Sequence, residues 1–96
     1  MITLNVFFDL NPVYKEDFLK LLNNMVVESN KETGCTYYHL LEDQTQENRF
    51  TLIEHWDDQT ALDGHNKTAH WINFNNTVND YLNHPYEEHH YTEIDF

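Results

Sequence analysis

Ile2-Thr3-Leu4-Asn5-Val6-Phe7-Phe8-Asp9 alternates with a period of two. Ile2, Leu4, Val6 and Phe8 fall on one side of a strand, and Thr3, Asn5, Phe7 and Asp9 on the other. One face is fully apolar and the other is mixed, so this strand has a core side and a second side that is not simply solvent-facing. Asn11-Pro12 follows, a suitable N-cap and first-turn pair for a helix. Phe18, Leu21, Leu22, Met25 and Val26 recur at i, i+3, i+4, i+7 and i+8, the stripe of an amphipathic helix. Thr33-Gly34 is read as its end, with Gly34 suited to a left-handed backbone.

Thr36 to Glu42 reads as a second strand, rich in tyrosine and apolar residues. The polar stretch 43–48 connects it to a third, Arg49 to Trp56, in a hairpin. Asp57 or Asp58 can cap a short helix through Ala61, Leu62 and His65. A further helix from Thr68 carries Trp71, Phe74, Val78, Tyr81 and Leu82, and His84-Pro85 stops it. Glu87 to Phe96 reads as the last strand. The order is β-α-β-β-α-β with a broken second helical region. That is an α+β, ferredoxin-like split βαβ sandwich, an antiparallel sheet with helices on one face. Residues 1–96 are read as one domain.

The chain has 96 residues, 5 Lys and Arg against 17 Asp and Glu, and a formal charge of −12. Phosphate recognition needs clustered cations, so nucleic acid and anionic membrane surfaces are disfavoured as partners. No run approaches the roughly 18 apolar residues of a membrane span. The first residues carry neither a basic region nor a long apolar stretch, so no signal peptide is expected. Cys35 is the only cysteine, which fits a reducing compartment, and a cytoplasmic location is the expectation. A chain this short can cover one face of its sheet with helices but not both. The apolar residues on the second face then predict a homodimer.

These pieces resemble the antibiotic biosynthesis monooxygenase family, small dimeric α+β barrels that include quinol monooxygenases. The residues carrying the resemblance are Met1 to Phe8, Glu32-Thr33-Gly34-Cys35, Tyr38-His39-Leu40, Arg49 to Trp56, and Ala61-Leu62-Asp63-Gly64-His65 leading to His70-Trp71. The resemblance covers nearly the whole chain. It implies a pocket between sheet and helices. It also implies oxidation of a small electron-rich phenol or quinol by molecular oxygen, with no metal or flavin, the substrate supplying the electrons. The family's other activities leave two alternatives: an isomerase or other small-metabolite enzyme on the same fold, and a non-catalytic ligand-binding dimer. The haem-degrading branch uses Asn, Trp and His in its pocket. By spacing, the Trp position falls at His65 and the His position near Asn75, so haem degradation is disfavoured.

Asn5 is a carboxamide among apolar neighbours, a costly arrangement unless it finds partners. The resemblance implies that it holds a substrate oxyanion. His65 falls where members carry a pocket residue and is the expected base near neutral pH. His70 is a second pocket candidate, although five residues along a continuous helix would set it about 140° away from His65. Trp56, Trp71 and Phe74 are the expected substrate-binding aromatics, with Trp56 and Phe74 sandwiching a planar ring. Glu54 is read as paired with Arg49 or His55, or turned to solvent. The seven histidines include no H-E-x-x-H and no i, i+4 pair, so no metal site is expected. Cys35 reads as a small buried side chain rather than a reactive thiol.

Overall fold

A computed structural model describes all 96 residues. The elements are β1 (Ile2–Asp9), α1 (Lys15–Ser29), β2 (Cys35–Glu42), β3 (Arg49–Trp56), α2 (Gln59–His65), α3 (Ala69–Thr77) and β4 (Glu87–Thr92), with single 3-10 turns at Pro12–Tyr14 and Val78–Tyr81. The sheet order is β2-β3-β1-β4 with every neighbouring pair antiparallel, which is the expected ferredoxin-like arrangement. No helix is long and apolar enough to cross a membrane.

Register decides which residues meet the helices. Leu4 pairs with Glu54 and Val6 with Leu52, while Tyr38 lies opposite Glu54 on the other side of β3. Leu4, Val6, Phe8, Phe50, Leu52, Trp56 and Tyr38 therefore share one face, and all are buried under Phe18, Leu22 and Met25 of α1, Leu62 of α2 and Phe74 of α3. Full burial of each large apolar side chain contributes roughly 1.5–3 kcal/mol, so this face carries the core. The opposite face presents Phe7, Tyr37, His39, Leu41, Ile53, His55, His89 and Tyr91. Phe7 stacks edge-on with His89 at 5.9 Å, and Tyr37 packs against His39 and His55 at 4.6 and 5.1 Å. Phe7, Leu41 and Tyr91 are exposed, because no helix crosses this side.

Several boundaries move from the sequence reading. Asn11 caps the 3-10 turn, its Oδ1 accepting from the Val13 amide, and α1 starts only at Lys15. The helix stops at Ser29. Asn30 then donates from Nδ2 to the carbonyls of Val26 and Tyr38, both at 2.8 Å, tying the helix end to β2. Gly34 does take a positive φ of 89°, but in the turn before β2 rather than directly after α1. β4 ends at Thr92, short of Phe96.

Candidate active site

Three separate segments bring Glu32, His65 and His70 together. Glu32 sits in the turn between α1 and β2. Its amide donates to Ser29 O and its carbonyl accepts from the Cys35 amide, and Gly34 O accepts from the Asp57 amide at 2.8 Å, fastening the turn to the end of β3. Asp58 caps α2 by accepting from the Ala61 amide at 2.9 Å, and His65 is the last residue of that helix. The helix breaks there because Thr68 serves both ends: its Oγ1 donates to His65 O at 2.8 Å and accepts from the Trp71 amide at 3.2 Å. His70 then stands in the first turn of α3. The break cancels the angular separation that a continuous helix would impose, and the two imidazoles come within 5.8 Å.

Both rings reach one oxygen. His65 Nδ1 lies 2.6 Å and His70 Nε2 2.8 Å from Glu32 Oε2. A carboxylate only accepts, so each of these nitrogens carries the shared proton, and His65 Nε2 and His70 Nδ1 are left as the basic nitrogens. His65 is 2% exposed. Burial lowers its pKa below the ordinary 6.5, with the Glu32 hydrogen bond and charge pulling the other way. A neutral imidazole held by a carboxylate is thus its resting form, the orientation logic of a carboxylate–histidine pair.

Beneath His65 lie aromatic rings. Trp56 packs on it at 4.6 Å and Tyr38 at 5.5 Å. Trp56 Nε1 donates to Glu54 Oε1 at 2.9 Å. The expectation that Glu54 pairs with Arg49 or His55, or faces solvent, is overturned. The β3 pleat turns it inward with Leu52 and Trp56, where it is 3% exposed, while Arg49 pairs with Asp9 at 3.2 Å. Burial raises the Glu54 pKa to about 8, the Trp56 hydrogen bond opposing this and the charges of Glu88 and Glu32 reinforcing it. Glu54 is a neutral carboxylic acid at neutral pH. Sequence reasoning misses both Glu54 and Glu32. For Glu54 the available signal is its in-phase position with Phe50, Leu52 and Trp56.

The other expected residues fall elsewhere. Asn5 alternates with the buried Leu4 and Val6 and pairs with Ile53 and His89, so its side chain lies on the open face. The sheet separates it from His65. Phe74 is buried against Phe8 and Tyr86, at 6.1 and 5.9 Å, whereas the aromatic partners of Trp56 are Tyr38 and His65. No slot for a planar ring lies between Trp56 and Phe74. Trp71 is partly buried against the core beside His70. No cavity is lined by Trp56, His65 or His70, and the one between α1 and β2 is lined by Leu19, Leu22, Asn23, Val26, His39 and Leu40. A cavity of about 530 Å³ does open on Glu32, lined also by Asp57, Asp58 and Gly64. Cys35 is partly buried, and burial followed by the Glu32 charge pushes its thiol up to about 11, so it rests as an unreactive thiol.

The model of the antibiotic biosynthesis monooxygenase family matches residues 1–77. The Bacillus subtilis (strain 168) protein named "Putative monooxygenase YcnE" is 36% identical over 74 residues, 77% of this chain and 78% of that protein. Among solved structures, a conserved protein from Methanosarcina mazei Go1 superposes with a TM-score of 0.93 at 22% identity, covering 97% of this chain and 92% of its own. An antibiotic biosynthesis monooxygenase superposes at 0.91 with 24% identity, covering 99% and 100%. At these identities the structural likeness speaks for the fold, and the family match joins it to the sequence. The chain belongs to the antibiotic biosynthesis monooxygenase family.

Proposed function

We propose that this chain is an oxidoreductase that deprotonates a small electron-rich phenol or quinol and lets the resulting anion react with molecular oxygen, needing neither metal nor flavin. For an anthrone-type substrate, the methylene carbon gains one oxygen atom and the products are the quinone and water. The observation carrying this reading is the Glu32–His65 pair, a neutral, oriented imidazole at 2.6 Å from its carboxylate. In this reading His65 Nε2, which is buried, becomes the base once substrate displaces the side chains packed over it, and the imidazolium it forms is stabilised by Glu32. His70 and Trp71, at the outer edge of the cluster, are where substrate makes contact, and Trp56 forms the floor under His65. The surrounding Glu32, Asp57 and Asp58 favour a neutral substrate over a polyanionic one. Oxygen uptake with reduced menadione and anthrone tests the reading.

A second reading is favoured by Glu54. A neutral acid and an oriented base in one buried layer are the pair that enolisation or isomerisation requires. Product formed without oxygen from an enolisable small carbonyl compound separates this reading from the first.

The open sheet face belongs to the same proposal. Phe7, Leu41 and Tyr91 are 38, 42 and 48% exposed there, and we assign the face to a homodimer in which two sheets pack together. Asn5 would then act at that contact. Sedimentation at micromolar concentration should give twice the chain mass, and a stable monomer contradicts the assignment.

A further inference from the structure

We propose that Glu32, His65 and His70 form a binding site for one borderline divalent transition-metal ion of the zinc or cobalt class. Three observations carry this. First, Glu32 Oε2, His65 Nδ1 and His70 Nε2 all lie within 4.8 Å of one another, a two-histidine, one-carboxylate donor set. Second, the set is preorganised: it draws on three segments fixed by the Gly34–Asp57 contact, the Asp58 cap and the Thr68 bridge. His65 is fully buried, and His70 and Glu32 are 15 and 16% exposed at their side chains, so the donors face one another rather than bulk water. Third, the cavity that opens on Glu32 is lined by three carboxylates, those of Glu32, Asp57 and Asp58, and by no Lys or Arg. The cavity reaches Glu32 alone of the three donors, and its carboxylates supply a potential that draws a cation towards it.

Binding the ion involves no redox change. In the metal-free form the two shared protons sit on His65 Nδ1 and His70 Nε2. A bound cation takes those lone pairs, and each proton moves to the far nitrogen of its own ring. Zinc ligand atoms at about 2.0–2.1 Å from the metal stand roughly 3.3 Å apart in tetrahedral geometry, so the hydrogen bonds of 2.6 and 2.8 Å need open by about 0.7 and about 0.5 Å. A water completes the coordination, since the protein supplies three donors. His65 Nε2, now protonated, can no longer serve as a base. The metal is therefore an inhibitor of the proposed chemistry. Its binding is independent of that chemistry and is measured without substrate.

The test uses the tag-free chain, stripped with chelator and titrated with Co²⁺ followed by visible absorption, and with Zn²⁺ followed by calorimetry. One site per chain is expected, with Zn²⁺ raising the melting temperature. His70→Ala, at the outer edge of the cluster, should weaken binding by at least about 100-fold, and so should Glu32→Gln. His84→Ala should bind as the parent does. Circular dichroism of each variant establishes that it is folded. Absence of binding below millimolar Co²⁺ and Zn²⁺ overturns the proposal. So does binding that survives in folded His70→Ala and Glu32→Gln but falls in His84→Ala, because the ions then sit on surface histidines.

Discussion

His65 closes α2 and His70 lies in the first turn of α3, yet their rings are 5.8 Å apart and share one oxygen of Glu32. Two imidazoles and a carboxylate form one unit because the chain breaks between them. A continuous helix would point them in different directions. The hydrogen bonds are charge-assisted and shielded from water, which is where such bonds are strongest.

Glu32→Gln removes the charge that holds His65. Burial, the dominant influence on this imidazole, is then less opposed, so its pKa should fall further below 6.5. Stability should drop by about 1–3 kcal/mol, the cost of losing a partner to a buried donor. Imidazole NMR titration and denaturant unfolding check both. A His65 pKa that rises in the variant would show that Glu32 is not its principal electrostatic partner.

Glu54 makes the fold pH-sensitive in a defined direction. Its folded pKa of about 8 lies above the ordinary 4.5, so the folded state keeps a proton that the unfolded chain has lost. The stabilisation is complete below about pH 4.5 and is lost as pH rises through about 8. His65 has the opposite sign: its lowered pKa costs stability as pH falls below 6.5, so it is silent above neutrality. Between pH 7 and 9 the parent should lose stability faster than Glu54→Gln. The variant should gain up to a few kcal/mol relative to the parent at pH 9. Unfolding midpoints of both proteins across this range decide it, and parallel curves would place Glu54 in the ordinary carboxylate range.

In the proposed reaction Thr68 positions His65. Thr68→Val loses the hydroxyl that caps α3 and holds the His65 carbonyl, at a cost of about 1 kcal/mol. Turnover should fall more than KM changes, because the base is misaligned while the substrate contacts remain. Thr68→Ser should restore both stability and turnover. Unfolding and steady-state kinetics on the two variants are the check.

The two glycines should respond oppositely to alanine. A Cβ on Gly34 would stand 2.6 Å from the Ala61 Cβ, at a φ of +89°. Gly34→Ala should therefore cost about 1–3 kcal/mol and loosen the turn carrying Glu32. Gly64 lies inside α2, where an added Cβ would meet nothing within 4 Å, so Gly64→Ala should add about 0.5–1 kcal/mol. Thermal unfolding of both variants tests the pair.

Much of the architecture is legible in local sequence, because period-two alternation in β1 and β3 and the α1 stripe each specify an element and a buried face. The Thr33-Gly34 punctuation and the Asp58 and Thr68 caps are equally local. The site is legible only in part. His65 and His70 stand out as residues, but what joins them is a break in the helix and a carboxylate more than thirty residues away, which no linear spacing encodes. Asn5 illustrates the converse. Its chemistry suits an oxyanion, but the pleat that buries Leu4 and Val6 sends it to the other face. Glu54 is misjudged when residue type outweighs register. Its neighbours at Phe50, Leu52 and Trp56 already place it inside.

Oxygen-electrode measurements on the parent chain and His65→Ala, with anthrone and reduced menadione, decide whether the proposed Glu32–His65 pair is the base of an oxygen-consuming enzyme. The parent should consume oxygen above the uncatalysed rate with at least one of these substrates, and uptake should fall by about 10²-fold or more in the folded variant. Uptake that is no faster than the blank with every substrate, or that is unchanged in His65→Ala, would contradict that role.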